Sequence, residues 1–189
     1  VSVDADCERL IAEAIAVDGH LDVLVNNAGI GGPVPAEHEP IDDFRNVMDV
    51  NLNALFLLSQ LAGRHMIERR QGTIVNIASV LGLVASTPIK QASYCASKGA
   101  VVNLTRELGA QWARKGVRVN ALAPGWFPSE MTQLMFDDQG AHDFMTKNCP
   151  MGRAGDAHEL DGALLFLASD ASSYVTGETL TVDGGWVAR

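Results

Sequence analysis

The amino-acid sequence predicts a single α/β domain built on a doubly wound parallel sheet. Short apolar stretches with strand character alternate with longer stretches of helical periodicity along the whole chain. A length of 189 residues with 47% hydrophobic content is sufficient for one domain with a buried core. Because alternation of this kind places helices on both faces of a sheet, we expect three layers.

Four strands and four helices are predicted in alternating order. The strands are expected near residues 21, 73, 117 and 179, and the helices near residues 6–17, 41–66, 94–115 and 156–168. Gly116 after Arg114 and Lys115 is typical of a helix end, and Asp156 with Glu159 forms a capping pair at the start of the last helix. Residues 126–150 have an irregular pattern, which predicts a loop.

Tyr94 and Lys98 stand four residues apart in the third predicted helix, so their side chains lie on one face. The pKa of an unperturbed phenol is about 10, and a neighbouring cation favours the anion. Such a pair can exchange a proton nearer to neutral pH than a lone tyrosine, which suits general acid/base catalysis. This spacing also occurs by chance on solvated helices, so its value as evidence for a catalytic site depends on the flanking motifs.

Polar and small residues follow the predicted strands. They are Asn26-Asn27-Ala28-Gly29, Ser79 and Pro124-Gly125. Asparagine and serine also occur in ordinary strand-ending turns, so each motif alone has a structural explanation. Asn51 lies on the apolar stripe of the second helix, where a buried amide is either a structural bracket or part of a polar site. Ligands of open parallel sheets bind beyond the carboxyl ends of the strands, so these residues are predicted to meet in one crevice.

In this order, the motifs resemble the short-chain dehydrogenase/reductase family, from about Leu10 to the closing Val182-Asp183-Gly184-Gly185. The resemblance implies a Rossmann-like fold and an oxidoreductase that uses NAD or NADP to interconvert a ketone or aldehyde with an alcohol. The preference between the two cofactors is not readable. The substrate would be a small carbonyl or alcohol molecule.

The resemblance also implies a catalytic tetrad. Its members are Asn51, Ser79, Tyr94 and Lys98. Tyr94 would protonate or deprotonate the reacting oxygen, and Ser79 would donate a hydrogen bond to it. Lys98 would lower the pKa of Tyr94 and bind the ribose hydroxyls of the cofactor, while Asn51 would help to hold a water molecule.

Further cofactor contacts follow from the same resemblance. Asn27, Ala28 and Gly29 match the adenosine side, and Pro124, Gly125, Phe127 and Ser129 match the nicotinamide side. Tyr94 and Lys98 of the tetrad are implied to contact the cofactor as well. Ser129 stands where threonine is more usual. The phosphate-binding pattern Gly-x-x-x-Gly-x-Gly does not occur in the sequence. We therefore expect a family member without its first strand–helix units, roughly 60 residues, and poor cofactor binding by this chain alone.

A second class of function stays open. A catalytically silent protein of the same fold could sense a dinucleotide or act as a scaffold. The absent phosphate motif favours this alternative, and the complete tetrad argues against it. An isomerase or dehydratase could use the same tyrosine and lysine without net change in the nicotinamide cofactor.

Composition limits the classes of binding partner that we expect for this chain. A net charge of −9 argues against nucleic acid and anionic membranes as partners. Three cysteines without metal-ligand spacing indicate free thiols in a reducing cytoplasm and predict no metal site. The sequence contains no apolar run of the roughly 18 residues that a membrane span needs.

Two surfaces are predicted beyond the tetrad. Residues 126–150 are expected to cover the substrate, and their apolar content suggests an apolar or mixed substrate, although core packing explains it equally well. The connection from Ser79 to Tyr94 is longer than is usual in the family, with the extra residues at 86–90, so we expect a substrate entrance of different shape. Apolar residues on the two long helices suggest a homo-tetramer or dimer, with burial inside the monomer as the alternative. These residues include Leu57, Leu61, Val102 and Trp112.

Overall fold

A computed structural model describes residues 1–188 and contains a four-stranded sheet in the order β1-β2-β3-β4. The strands are β1 (Val23–Asn26), β2 (Gly72–Ile77), β3 (Val117–Pro124) and β4 (Thr179–Val182). Every neighbouring pair is parallel, with Val25 opposite Val75 and Asn76 opposite Ala121. The parallel doubly wound prediction is confirmed, and the carboxyl ends of the strands meet at one edge of the sheet.

Helices connect the strands. They are α1 (Asp4–Asp18), α2 (Ile41–Met48), α3 (Ala54–Arg69), α4 (Ala92–Trp112), α5 (Gln133–Asp137), α6 (Gln139–Asn148) and α7 (Asp161–Ala168). The predicted helix 41–66 is continuous but contains a π-helical turn, Asp49–Asn53, between α2 and α3. Such wide turns are frequently found at functional sites.

The helices pack on both faces of the sheet, as predicted. Side chains alternate along a strand, so Ile74 and Val75 of β2 face opposite ways. Ile74 belongs to a core formed with α1, α3 and α4, whereas Val75 packs against Leu167 of α7. These buried contacts fix the edge at which the predicted site residues emerge.

Two predicted helix boundaries are confirmed. Gly116 adopts φ 83° after the 3-10 turn Ala113–Lys115, a left-handed conformation that glycine tolerates best. At the start of the last helical segment, the Glu159 carboxylate accepts a hydrogen bond of 2.7 Å from the Asp156 backbone N–H. The same carboxylate forms an ion pair with Arg153 at 2.7 Å.

The prediction of an irregular loop over residues 126–150 is wrong in part, because α5 and α6 lie within it. Asp138 caps α6 by accepting a hydrogen bond of 2.7 Å from the Ala141 backbone N–H. α6 has a buried Met145, and its Phe144 ring packs edge-on against Trp186 at 6.3 Å. The helix is therefore held by contacts with the C-terminal segment, which sequence periodicity does not reveal.

The apolar residues that suggested an oligomer are largely accounted for within the monomer. Val102 is 4% exposed and Trp112 is 8% exposed, and Leu57 and Leu61 pack partly buried against the main core. Assembly into a tetramer or dimer through α3 and α4 stays a prediction. Residues 1–188 contain no helix whose length and apolar character together would let it span a bilayer.

Candidate active site

A cavity of about 860 Å³ opens at the carboxyl edge of the sheet. Most of the predicted site residues line it, namely Asn27, Gly29, Ser79, Tyr94, Lys98, Pro124, Gly125, Phe127 and Ser129. Ala28 is exposed beside this cavity and Asn51 is buried behind its wall, so neither lines it. The strand ends and the start of α4 thus bring distant parts of the sequence into one crevice.

Tyr94 and Lys98 project from the first turns of α4 into this cavity. The Lys98 Nζ lies 5.7 Å from the centroid of the Tyr94 ring, as expected for residues four apart on a helix. Lys98 is 3% exposed, and its Nζ donates a hydrogen bond of 2.7 Å to the Ile77 carbonyl at the end of β2. The ammonium group is therefore held in place by the sheet.

The pKa values of this pair are set mainly by burial. Burial lowers the pKa of Lys98 to about 8, because the charged form is poorly solvated. Burial raises the pKa of Tyr94 above its usual 10, although a hydrogen bond with Ser79 acts in the opposite direction. Burial therefore determines the overall direction of the Tyr94 shift, and a lowering of this pKa by Lys98 stays a prediction. At neutral pH the phenol keeps its proton.

Ser79 lies directly after β2 and caps the short 3-10 turn Val80–Gly82. Its Oγ accepts a hydrogen bond of 3.1 Å from the Leu81 backbone N–H. The same hydroxyl forms the hydrogen bond with Tyr94 that lowers the pKa of the phenol. Ser79 is therefore both a turn residue and a polar partner of Tyr94, and it is 7% exposed.

Asn51 acts as a bracket within the π-helical turn. Its Oδ1 accepts a hydrogen bond from the Ile30 N–H, and its Nδ2 donates to the Ile30 carbonyl, both at 2.8 Å. Nδ2 also donates to the Ser97 Oγ at 3.0 Å. These contacts match the structural alternative for this buried amide. A role for Asn51 in holding a water molecule stays a prediction.

Sequence reasoning missed two residues of the site. Thr132 holds the turn after β3, where its Oγ1 accepts from the Ser129 N–H at 2.9 Å and donates to the Phe127 carbonyl at 2.7 Å. The Ser-x-x-Thr spacing of Ser129 and Thr132 was the sequence pattern that could have indicated these hydrogen bonds. Gly31 packs directly against the Tyr94 ring, and the pair Gly31-Gly32 after the strand was the only indication of it.

The cavity fits the ribose and nicotinamide part of a dinucleotide. A methyl group at Gly29 would lie 3.4 Å from Lys98 Nζ and 3.5 Å from Asn51 Oδ1, so glycine keeps the space in front of the ammonium open. Lys98 presents an ammonium group to this cavity and Ser129 presents a hydroxyl, and both are hydrogen-bond donors of the kind that ribose hydroxyls and a carboxamide accept. Pro124 and Gly125 line the same cavity.

Comparison with known families gives one match that spans nearly the whole chain. A family model described as enoyl-(acyl carrier protein) reductase matches residues 1–187. The match includes every predicted site residue from Asn27 to Ser129.

Curated relatives and solved structures agree with this match. The 2-dehydro-3-deoxy-D-gluconate 5-dehydrogenase of Bacillus subtilis is 46% identical over 169 residues, which are 89% of this chain and 66% of the relative. The galactitol 2-dehydrogenase of Cereibacter sphaeroides is 46% identical over 175 residues, 93% of this chain and 68% of the relative. A gluconate 5-dehydrogenase from Burkholderia cenocepacia, solved with NADP and tartrate, superposes with a TM-score of 0.95 at 43% identity, over 100% of this chain and 73% of that one. The chain thus spans slightly less than two thirds of the length of the Bacillus relative.

Proposed function

Because this chain belongs to the short-chain dehydrogenase/reductase family, we propose that it is an oxidoreductase that interconverts a carbonyl group and an alcohol with a nicotinamide dinucleotide. One observation carries the proposal. Ser79, Tyr94 and Lys98 line the same cavity at the carboxyl edge of the sheet. Their arrangement supplies a proton donor, a hydrogen-bond donor and a buried cation around one reacting oxygen.

In the direction of reduction, Tyr94 transfers its phenolic proton to the oxygen of the substrate carbonyl. The raised pKa of Tyr94 supports this role, since the proton is present at neutral pH. Ser79 donates a hydrogen bond to the same oxygen and orients it towards Tyr94. The bound nicotinamide supplies the hydride in reduction and accepts it in oxidation.

Lys98, Ser129 and the residues that follow β1 hold the cofactor beside this oxygen. The Lys98 ammonium donates to the ribose hydroxyls, a position favoured by its tether to the Ile77 carbonyl. Ser129, fixed by Thr132, donates to the carboxamide. Asn27, Ala28 and Gly29 lie towards the adenosine side. The neighbours solved with NADP, at 43% identity, favour NADP as the cofactor to test first.

The substrate is proposed to be a polyhydroxylated molecule, an alditol or an aldonate. The names of the relatives support this class, because they act on galactitol, gluconate and dehydro-deoxy-gluconate. In the sequence, the apolar content of residues 126–150 suggested an apolar or mixed substrate. Part of that apolar content packs against the C-terminal segment, as Phe144 does against Trp186.

The first experiment compares Tyr94→Phe with wild type in the full-length natural protein. Turnover of galactitol and gluconate with NADP and NAD is followed by nicotinamide absorbance, and binding of the reduced cofactor by fluorescence. We expect Tyr94→Phe to reduce kcat by about 10²-fold or more, since the proton donor is lost, with unchanged cofactor binding.

Tyr174→Phe is the matched control, because Tyr174 is fully exposed and distant from the cavity. This variant should keep wild-type turnover. Retention of most of the activity in Tyr94→Phe would refute the proposed mechanism. Cofactor binding without turnover of any alcohol or ketone would support a silent sensor instead, and turnover of an enoyl thioester alone would identify a different reduction.

A further inference from the structure

A small recess of about 70 Å³ opens beside the reacting position. It shares Ser79, Tyr94 and Met131 with the main cavity. Trp126 and Met135 form part of its apolar wall. The part of a substrate that extends past Ser79 and Tyr94 would enter this recess, so the residues here can select what the substrate carries next to its reacting carbon.

Gln91 is the distinctive polar residue of the recess. It precedes α4 by one residue and is half-buried, three positions before Tyr94. Its Nε2 donates a hydrogen bond of 3.2 Å to the Ser86 Oγ. Its backbone is held as well, because the Gln91 carbonyl accepts from the Cys95 N–H at 3.0 Å and Gln91 bridges to Val34. The side-chain amide is thus oriented before any ligand binds.

The amide oxygen of Gln91 has no hydrogen-bond partner among the described residues. The other polar groups of the recess are engaged. Thr132 is bonded to Ser129 and Phe127, and Ser79 and Tyr94 are directed at the reacting oxygen in the proposed mechanism. The Gln91 amide oxygen is not among the buried unpaired atoms of the described residues, so it stays accessible to a hydrogen-bond donor that enters the recess.

The recess also lacks charged groups. The described residues that line it include no Asp, Glu, Lys, Arg or His. A carboxylate placed there would lose its hydration without meeting a cation, which is strongly unfavourable. An uncharged hydroxyl would lose much less and could pair with the free amide end of Gln91.

We propose that Gln91 is a specificity-determining residue that binds a neutral hydroxyl adjacent to the reacting carbon of the substrate. This inference rests on the proposed oxidoreductase function. It narrows the substrate class to vicinal diols and α-hydroxy ketones whose recess end is uncharged. A carboxylate, where the substrate has one, lies on the other side of the reacting carbon.

The test compares two alcohols that differ by one hydroxyl, cyclohexanediol and cyclohexanol, together with galactitol. Their kcat/KM values are measured for wild type and for Gln91→Leu, which has a similar volume and no hydrogen-bonding group. We expect kcat/KM for cyclohexanediol and galactitol to fall roughly tenfold, as for one lost neutral hydrogen bond. The kcat/KM for cyclohexanol should stay unchanged.

Two further variants complete the design. Gln111→Leu makes the same change on the exposed face of α4 and should leave all three values unchanged. Ser86→Ala removes the hydroxyl that orients the Gln91 amide and should cause a smaller loss, again confined to the diol and galactitol. If Gln91→Leu melts at a lower temperature or fails to fold, the Ser86→Ala variant still tests the role of Gln91.

The outcomes separate the two proposals. An equal loss for cyclohexanol and cyclohexanediol, or no loss for either, overturns the role of Gln91. Absence of any alcohol turnover in the wild type refutes the oxidoreductase itself, independently of Gln91.

Discussion

A methyl group on Gly31 would lie 2.6 Å from the Cδ2 atom of Tyr94, so the Gly31 backbone is the surface on which the tyrosine ring rests. The same methyl would lie 3.1 Å from Cγ and 3.3 Å from Cβ of Tyr94. Gly31 cannot move away easily, because Asn51 binds both the N–H and the carbonyl of the preceding Ile30. The bracket on Ile30 therefore fixes the position of the proposed proton donor.

Gly31→Ala should displace the Tyr94 ring and reduce kcat by about 10- to 100-fold, because small misplacements of a reacting group are costly. Cofactor binding, measured by NADPH fluorescence, should change little, since Lys98 and Ser129 are not touched by the new methyl group.

Gly32→Ala is a matched control on the neighbouring residue. A methyl group at Gly32 meets no atom within 4 Å, so this variant should keep wild-type kcat. Equal activity of the two variants would show that Gly31 does not position Tyr94.

The sequence predicted the sheet and most of the cavity because both depend on local patterns. Strand–helix alternation requires parallel strands, and residues that follow such strands meet at one edge. Tyr94 and Lys98 were paired from helix geometry alone, and the 5.7 Å separation between Nζ and the ring confirms their proximity. These relationships need no knowledge of distant contacts.

The remaining features depend on tertiary contacts. The hydrogen bonds from Asn51 to Ile30 and the packing of Gly31 on Tyr94 join segments that are distant in the sequence, which local periodicity cannot reveal. The sequence did not predict the direction of the Tyr94 pKa shift for a related reason. A sequence shows which charges are near one another along a helix, but the burial that dominates Tyr94 and Lys98 exists only after folding.

Lys98 should make the ligand-free protein less stable at neutral pH than at mildly alkaline pH. Its pKa is lowered from 10.5 to about 8, so between these values the unfolded chain binds more protons than the folded one. The free energy of unfolding therefore rises with pH from about 8, and the destabilisation is fully present below that pH. The raised pKa of Tyr94 opposes this trend above pH 10, and the raised pKa values of the Cys7 and Cys95 thiols oppose it from pH 9.0 upwards. The contribution of Lys98 is therefore the difference in pH dependence between the wild type and a Lys98 variant across pH 8–10.

Lys98→Met should abolish this rise and stabilise the protein at neutral pH by on the order of 1–2 kcal/mol, since the buried charge is removed while the bond to Ile77 is lost. Urea unfolding across the pH range measures the effect. Lys90→Met is the control, because the Lys90 side chain is 64% exposed and forms only a 3.9 Å ion pair with Glu37. A wild-type pH dependence in Lys98→Met would contradict the assignment.

The hydroxyl of Thr179 in β4 is a second buried group that lowers the stability of the folded protein. Its Oγ1 is buried without a hydrogen-bond partner among the described residues, at a position paired with Ala121 of β3. Thr179→Val keeps the shape and the β-branched character while removing the unpaired hydroxyl, so we expect a gain of about 1 kcal/mol in the free energy of unfolding.

Thr181→Val is the matched control, because Thr181 lies on the same face of β4 and its hydroxyl is not among the buried unpaired groups of residues 1–188. Urea denaturation of both variants decides the matter: a loss of stability in Thr179→Val would show that its hydroxyl has a partner in solution.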